Sequence, residues 1–196
     1  MDAPVTANHI ELLLEARARY GVSATYDEVL SETAARIENT SSVGKSDIGA
    51  LLFWKRLRAD TKWVRKLMEK SDADVREVTR ATVTAVNDMD LPLAEAASKG
   101  RSALTSLPGF VRGDGLASAV LFAAAPKRMA VYDKRAHRAL SRELGVKLSD
   151  KPGRYARYMS IVDALTAAVN TSAVETDWIA RDVDLALYTL GNSRVN

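Results

Sequence analysis

Leu107-Pro-Gly-Phe-Val-Arg-Gly-Asp-Gly115 runs into Leu116-Ala-Ser-Ala-Val-Leu-Phe-Ala-Ala-Ala125, and Pro126-Lys-Arg-Met-Ala-Val-Tyr-Asp133-Lys-Arg-Ala-His-Arg138 follows. A Gly-rich turn feeds a helix of small and apolar residues. That helix leads to a lone acid, Asp133, set among cations. Glycines permit positive φ and leave backbone N–H groups exposed. Together with the N-terminus of the next helix, such amides form a natural anion seat. Gly109, Arg112, Gly113 and Gly115 are the candidates for that seat. Ala117, Ser118 and Ala119 are small enough to let the second helix approach its neighbours closely.

Outward from this stretch, almost every segment has helical spacing. Residues 10–20 form an apolar-periodic run that ends at Gly21, a good helix stop. Residues 26–37 place Val29, Ala34 and Ile37 at near-helical intervals, and 39–44 read as a polar loop. Ser46 or Asp47 is expected to cap a helix holding Ile48, Leu51 and Leu52. Another begins near Asp60. Ser71 caps the next, and Pro92 opens one that ends near Ser106. Helices at 115–125, 134–144, 152–170 and 177–190 complete the count, the last stopping at Gly191. Met129-Ala-Val-Tyr132 is β-friendly but too short to build a sheet, and no period-2 strand has a partner. The expected class is all-α: a two-lobed helical bundle in a single domain over residues 1–196.

Composition narrows the functions. The chain has 196 residues, no cysteine and two histidines, His9 and His137. Disulfides, thiolate zinc sites and iron–sulfur clusters are excluded, and two histidines argue against a histidine metal centre. No metal and no cofactor are expected. The first residues lack the basic and apolar regions of a signal peptide. The longest apolar run is far short of the roughly 20 residues that span a bilayer. A cytoplasmic protein without a membrane partner is the expectation. The net charge of +3 hides a strong asymmetry. Residues 55–70 carry seven Lys/Arg against two Asp/Glu, and residues 126–157 carry ten against three. The remainder is acidic. Two basic blocks of this kind suit a polyanion, or serve as solvated helix faces.

Leu107-Pro-Gly109, the later glycines and Ala117-Ser-Ala-Val-Leu121 resemble the helix–hairpin–helix of DNA base-excision glycosylases, the endonuclease III-like superfamily. Val131-Tyr-Asp133 stands twelve residues after Leu121, where that family carries its catalytic aspartate motif. Arg135-Ala-His-Arg-Ala-Leu140 is similar to the helix after that aspartate, and Leu144-Gly145 to its end. The resemblance covers residues 104–145 closely, and elsewhere only helix number and order. Three departures stand out. The hairpin is longer, with Val111-Arg112 where the second glycine belongs. Gly115 occupies the position of the lyase lysine, and the hairpin holds no lysine. The cysteine cluster is missing.

The resemblance implies double-stranded DNA as partner and, without the lysine, a monofunctional hydrolase. Breaking an N-glycosidic bond builds positive charge on the sugar, which a nearby carboxylate stabilises or which a carboxylate-oriented water attacks. Asp133 is the candidate catalytic group, and Lys134 and Arg135 give it cationic surroundings. Asp is also a favoured N-cap, so capping of the next helix is the plain alternative. A flipped base calls for an aromatic pocket; Trp54, Tyr132 and His137 are the first candidates, with Phe53, Tyr155 and Tyr158 behind them. Lys127, Arg128, Lys134 and Arg135 join the hairpin residues as DNA contacts. Ser102, Thr105 and Ser106 are further phosphate ligands, and Lys55, Arg56, Arg58, Lys62, Arg65 and Lys66 form a backbone-contact face. Val43-Gly-Lys-Ser46 resembles the end of a phosphate-binding P-loop, but no strand precedes it and Asn39 replaces the earlier glycine, so it reads as a loop and cap. A non-catalytic helix–hairpin–helix module and a helical protein-interaction protein are the competing readings.

Overall fold

The computed structural model describes residues 5–21, 24–172 and 177–192. Among them all regular structure is helical. The α-helices are α1 (Ala7–Ala18), α2 (Ala24–Thr40), α3 (Lys45–Trp54), α4 (Lys62–Met68) and α5 (Asp72–Asn87). They continue as α6 (Leu93–Ala103), α7 (Gly115–Ala124), α8 (Lys134–Arg142), α9 (Arg154–Thr171) and α10 (Ala180–Asn192). A 3₁₀ turn, Leu104–Ser106, extends α6.

Capping chemistry explains where the ends differ from the sequence reading. Helix α1 starts before Ile10 because Thr6 and His9 exchange hydrogen bonds across its first turn. Neither Ser46 nor Asp47 is the N-cap of α3. Gly44 takes that place, and Asp47 reaches back to accept from the Gly44 amide at 2.9 Å. Asp72 accepts from the next amide, Lys45, at 2.7 Å. The P-loop-like stretch therefore spends its free amides on two carboxylates of the chain itself. Pro92 is the N-cap of α6 rather than its first helical residue. Gly191 does not stop α10; it lies inside the helix, where a Cβ would fall 1.9 Å from the Arg135 carbonyl oxygen. Only glycine lets α10 come this close to α8.

Helix α7 is the centre of the bundle. Leu116 through Ala123 are all buried, and the helix packs against α2, α3, α5 and α6. Its alanines and Ser118 allow contact on every side. Phe110 and Leu121 are fully covered, and burial of side chains this size is worth about 1.5–3 kcal/mol each. Around this axis, α5 and α6 pair and α9 lies on α6, while α10 joins α8 to α1. The buried residues form one continuous core.

Residues 129–133 cross that core without helix and without a partner strand. An extended segment in the interior needs partners for its N–H and C=O groups, and side chains supply several of them here. Asp184 accepts from the Val131 amide (2.7 Å) and Ser118 from the Tyr132 amide (2.9 Å). The Tyr155 hydroxyl donates to the Ala130 carbonyl (2.8 Å), and Tyr158 to that of Val131 (3.4 Å). The β-friendly composition of Met129–Tyr132 is thus used, with side chains from three helices in place of a sheet. The segment delivers Asp133 to the start of α8.

Candidate functional site

Asp133 is the N-cap of α8; its Oδ1 accepts from the Arg135 amide at 2.8 Å. Its Oδ2 faces the Lys55 Nζ at 3.4 Å. The carboxylate borders a cleft of about 600 Å³, a size suited to a small organic ligand. Tyr20, Tyr26 and Tyr188 line it with Trp54, and so do the cations Lys55, Arg56, Arg135 and Arg181. The tyrosines come from the end of α1, from α2 and from α10. Tyr20 and Tyr188 meet edge to face at 6.4 Å between ring centres. The Arg135 guanidinium lies 5.0 Å from the Tyr188 ring centre and that of Arg56 lies 5.5 Å from the Tyr26 ring centre. The cleft thus offers flat π-faces under positive charge.

Its floor is a buried charge network. Asp184, only 3 % exposed, receives Arg181 at 2.7 Å besides the Val131 amide. Arg181 also reaches Asp27 at 3.3 Å, and Asp27 accepts from the Trp54 indole at 2.9 Å. Burial pushes the Asp184 carboxyl up, while Arg181 and the Val131 amide oppose that rise. Burial works against the Arg181 charge, but Asp184 and Asp27 outweigh it and hold its pKa above the usual value. The Tyr20 hydroxyl is pushed up to about 12, first by burial and then by Asp27. Burial lowers Lys55, and Asp133 opposes that shift.

Arg56 carries backbone strain at the rim. It follows the α3 C-cap with φ +52, while the Leu57 amide closes onto the Leu52 carbonyl at 3.0 Å. Glycine normally fills this left-handed position. Replacement of Arg56 by Gly is expected to stabilise the fold by up to about 1 kcal/mol, read as a higher urea midpoint; a loss of stability would contradict the strained assignment.

The candidates from sequence separate into distinct places. Asp133, Trp54 and Arg135 meet at the cleft. Tyr132 and His137 do not border it: the Tyr132 ring is buried edge-on to Tyr158, and its hydroxyl pairs with His137 Nδ1 at 3.0 Å. Tyr155 and Tyr158 are core residues that hold the 129–133 segment, and Phe53 is 73 % exposed. Arg128 is not free for phosphate, because its guanidinium donates to the carbonyls of Val86, Asp88 and Leu91. Lys127 and Lys134 are exposed. Of the first basic block, Lys62, Arg65 and Lys66 face solvent and Arg58 pairs with Asp60, whereas Lys55 turns inward.

The Gly-rich loop between the 3₁₀ turn and α7 borders a second, smaller cleft of about 370 Å³ with Ser102, Thr105, Arg112 and Gly113. Gly109 has φ +91, and the Trp63 ring fills the space a Cβ would need. This glycine serves both the turn and the docking of α4. Asp114 is pinned by Arg101 (3.0 Å) and Arg154 (2.8 Å). The tip, Val111 to Gly113, is exposed, and nothing crowds Gly113 or Gly115. Among the described residues no hydrogen bond engages the amides of Val111, Arg112 and Gly113.

Sequence reasoning missed Tyr20, Tyr26, Arg181, Asp184 and Tyr188. One signal was present: Asp184 sits at the apolar spacing set by Ala180, Val183 and Leu187, where an acid requires a buried partner. Among the described residues no helix is long and apolar enough to cross a membrane, and no cluster of three or more His, Asp or Glu is placed to hold a metal ion. Comparison with protein families, curated proteins and solved structures gave no match for this chain.

Proposed function

We propose that this chain binds double-stranded DNA and hydrolyses the N-glycosidic bond of a modified or damaged base at the Asp133 cleft. The observation that carries this reading is the position of Asp133, held between a side-chain-braced extended segment and α8, at the edge of an aromatic, cation-rimmed cleft. A base drawn from the stack would enter among the Tyr20, Tyr26 and Tyr188 rings, with the Arg56 and Arg135 guanidiniums that lie over Tyr26 and Tyr188 turning to the phosphates of its strand. Asp133 would stabilise the positive charge that develops on the sugar as the base departs. The exposed hairpin tip, with unengaged amides at 111–113, supports a second grip on the backbone. Base identity is set by groups that touch the flipped base, and four of the lining residues are aromatic.

A non-catalytic DNA-binding module is the competing reading, and one observation favours it: the Asp133 Oδ1 already has work as a helix cap. Salt titration of duplex binding, run beside a base-release assay, separates the two. Both readings predict affinity that falls steeply with salt. Only the first predicts free base, and binding without release from any modified duplex selects the second.

A further inference from the structure

We propose that the cleft between the Gly-rich loop and the start of α9 is a binding site for a small phosphomonoester, separate from the Asp133 cleft. The inference goes beyond the DNA reading and does not depend on it.

Three parts of the chain meet there: the end of α6, the loop at 111–114, and residues 150–156, where α9 begins. The volume, about 370 Å³, lies near the small end for ligand pockets and suits a phosphate with a small organic body attached. Arg101, Arg112, Lys151 and Arg154 line it, together with Asp114 and Asp150. Four cations against two carboxylates leave two positive charges in excess. A phosphomonoester carries a charge of about −1.5 to −2 at pH 7. A phosphodiester within a DNA strand carries a single negative charge and brings a sugar on either side, so it suits a pocket of this charge and size less well.

The two acids orient two of the arginines. Asp114 accepts from Arg101 Nε at 3.0 Å and from Arg154 Nε at 2.8 Å. Asp150 accepts from Arg154 Nη1 at 2.7 Å. The Arg154 guanidinium also lies 4.8 Å from the Tyr132 ring centre. Both guanidiniums are thus held in place before a ligand arrives, which lowers the ordering cost of binding. Neither spends all its donors on the chain. Arg101 Nη1 is covered and has no hydrogen-bond partner, and among the described residues no hydrogen bond engages Arg154 Nη2. Arg112 and Lys151 are exposed and form no ion pair among the described residues.

Backbone donors add to the set. Helix α9 has 18 residues, and its N-cap, Gly153, has no side chain to offer its first turn. Among the described residues no hydrogen bond engages the amides of Arg154, Tyr155 and Ala156, and these three residues border the cleft. Free amides at a helix start, beside guanidiniums that can bond two oxygens at once, meet the needs of a phosphoryl group. Ser98 and Ser102 stand on the α6 wall.

The test is an NMR titration of the full chain, labelled with ¹⁵N, at fixed ionic strength. The probes are inorganic phosphate and ribose 5-phosphate, with ribose as the uncharged control. The expected result is saturable movement of the Arg154, Tyr155 and Ala156 amide signals with both phosphates and none with ribose. The double variant Arg112→Gln, Lys151→Gln removes two exposed side chains that form no ion pair, and is expected to weaken binding at least about tenfold. Movement that never saturates, that centres on other residues, or that the double variant leaves unchanged overturns the site. A third arm adds a duplex without terminal phosphates. Displacement of ribose 5-phosphate by that duplex overturns a separate ligand site and assigns the cleft to the DNA grip. Saturation by phosphate in a chain that retains no duplex upholds the site and removes the DNA reading.

Discussion

Asp133→Asn is expected to slow base release by on the order of 10²–10³-fold while duplex affinity stays within about twofold. The substitution is close to isosteric. Asn is as good an N-cap as Asp, so it can still accept from the Arg135 amide and α8 keeps its start. What disappears is the negative charge, which in the proposed reaction stabilises the sugar as the glycosidic bond breaks. Lys55 loses its carboxylate partner at the same time, which leaves the cleft more positive and favours phosphate contact. The measurement is a single-turnover comparison of wild type and variant on one duplex substrate, with a gel shift in parallel. Equal release by both proteins would make Asp133 a cap and nothing more.

The largest stability loss is expected from Asp184→Ala, about 3–5 kcal/mol, as for other buried ion pairs deprived of one partner. Three consequences combine. Arg181, 13 % exposed at its side chain, loses its shorter carboxylate contact and keeps only Asp27 at 3.3 Å. The Val131 amide loses its acceptor in a fully covered part of the core, and an unsatisfied buried donor costs about 1–3 kcal/mol by itself. A cavity opens where α10 meets the extended segment. Urea unfolding followed by Trp fluorescence reads the change directly. The variant is also expected to lose base release, because the segment that aims Asp133 has lost its anchor to α10. A loss below about 1 kcal/mol would mean that Asp184 does not hold that segment.

These two residues also mark how much of the molecule was legible in the chain. The place of Asp133 as the α8 N-cap was legible because that signal is local: an Asp directly ahead of a helical run, with cations following. The all-α class was legible for the same reason, since helical spacing and capping residues are short-range signals. The central role of α7 was half legible. Its small residues announce close packing, but contact on all sides is a property of α2, α3, α5 and α6 together. Met129–Tyr132 showed β-friendly residues without a partner strand, and the partners proved to be Ser118, Tyr155, Tyr158 and Asp184, which lie 14 to 53 residues away in sequence. No periodicity encodes such pairings.

The cleft was the least legible part. Tyr20 and Tyr26 come from near one end of the chain, Arg181 and Tyr188 from near the other, and Asp133 from between them. Tyr132 and His137 attracted attention by adjacency to Asp133, yet a residue next to an N-cap in an extended segment points its side chain to the opposite face, and Tyr132 accordingly packs on Tyr158. Arg128 showed the same limit. Its charge suggested phosphate, whereas the carbonyls ending α5 and leading into α6 claim its guanidinium.

Breakage of the bond between a base and its sugar is the reaction proposed for the Asp133 cleft. The most direct measurement is mass-spectrometric detection of free base after the intact chain meets a panel of duplexes, each with one modified or damaged base. Free base is expected from at least one of them, released on the order of 10²–10³-fold more slowly when Asp133→Asn replaces the wild type. Duplexes that are bound and returned with every base still attached would contradict it.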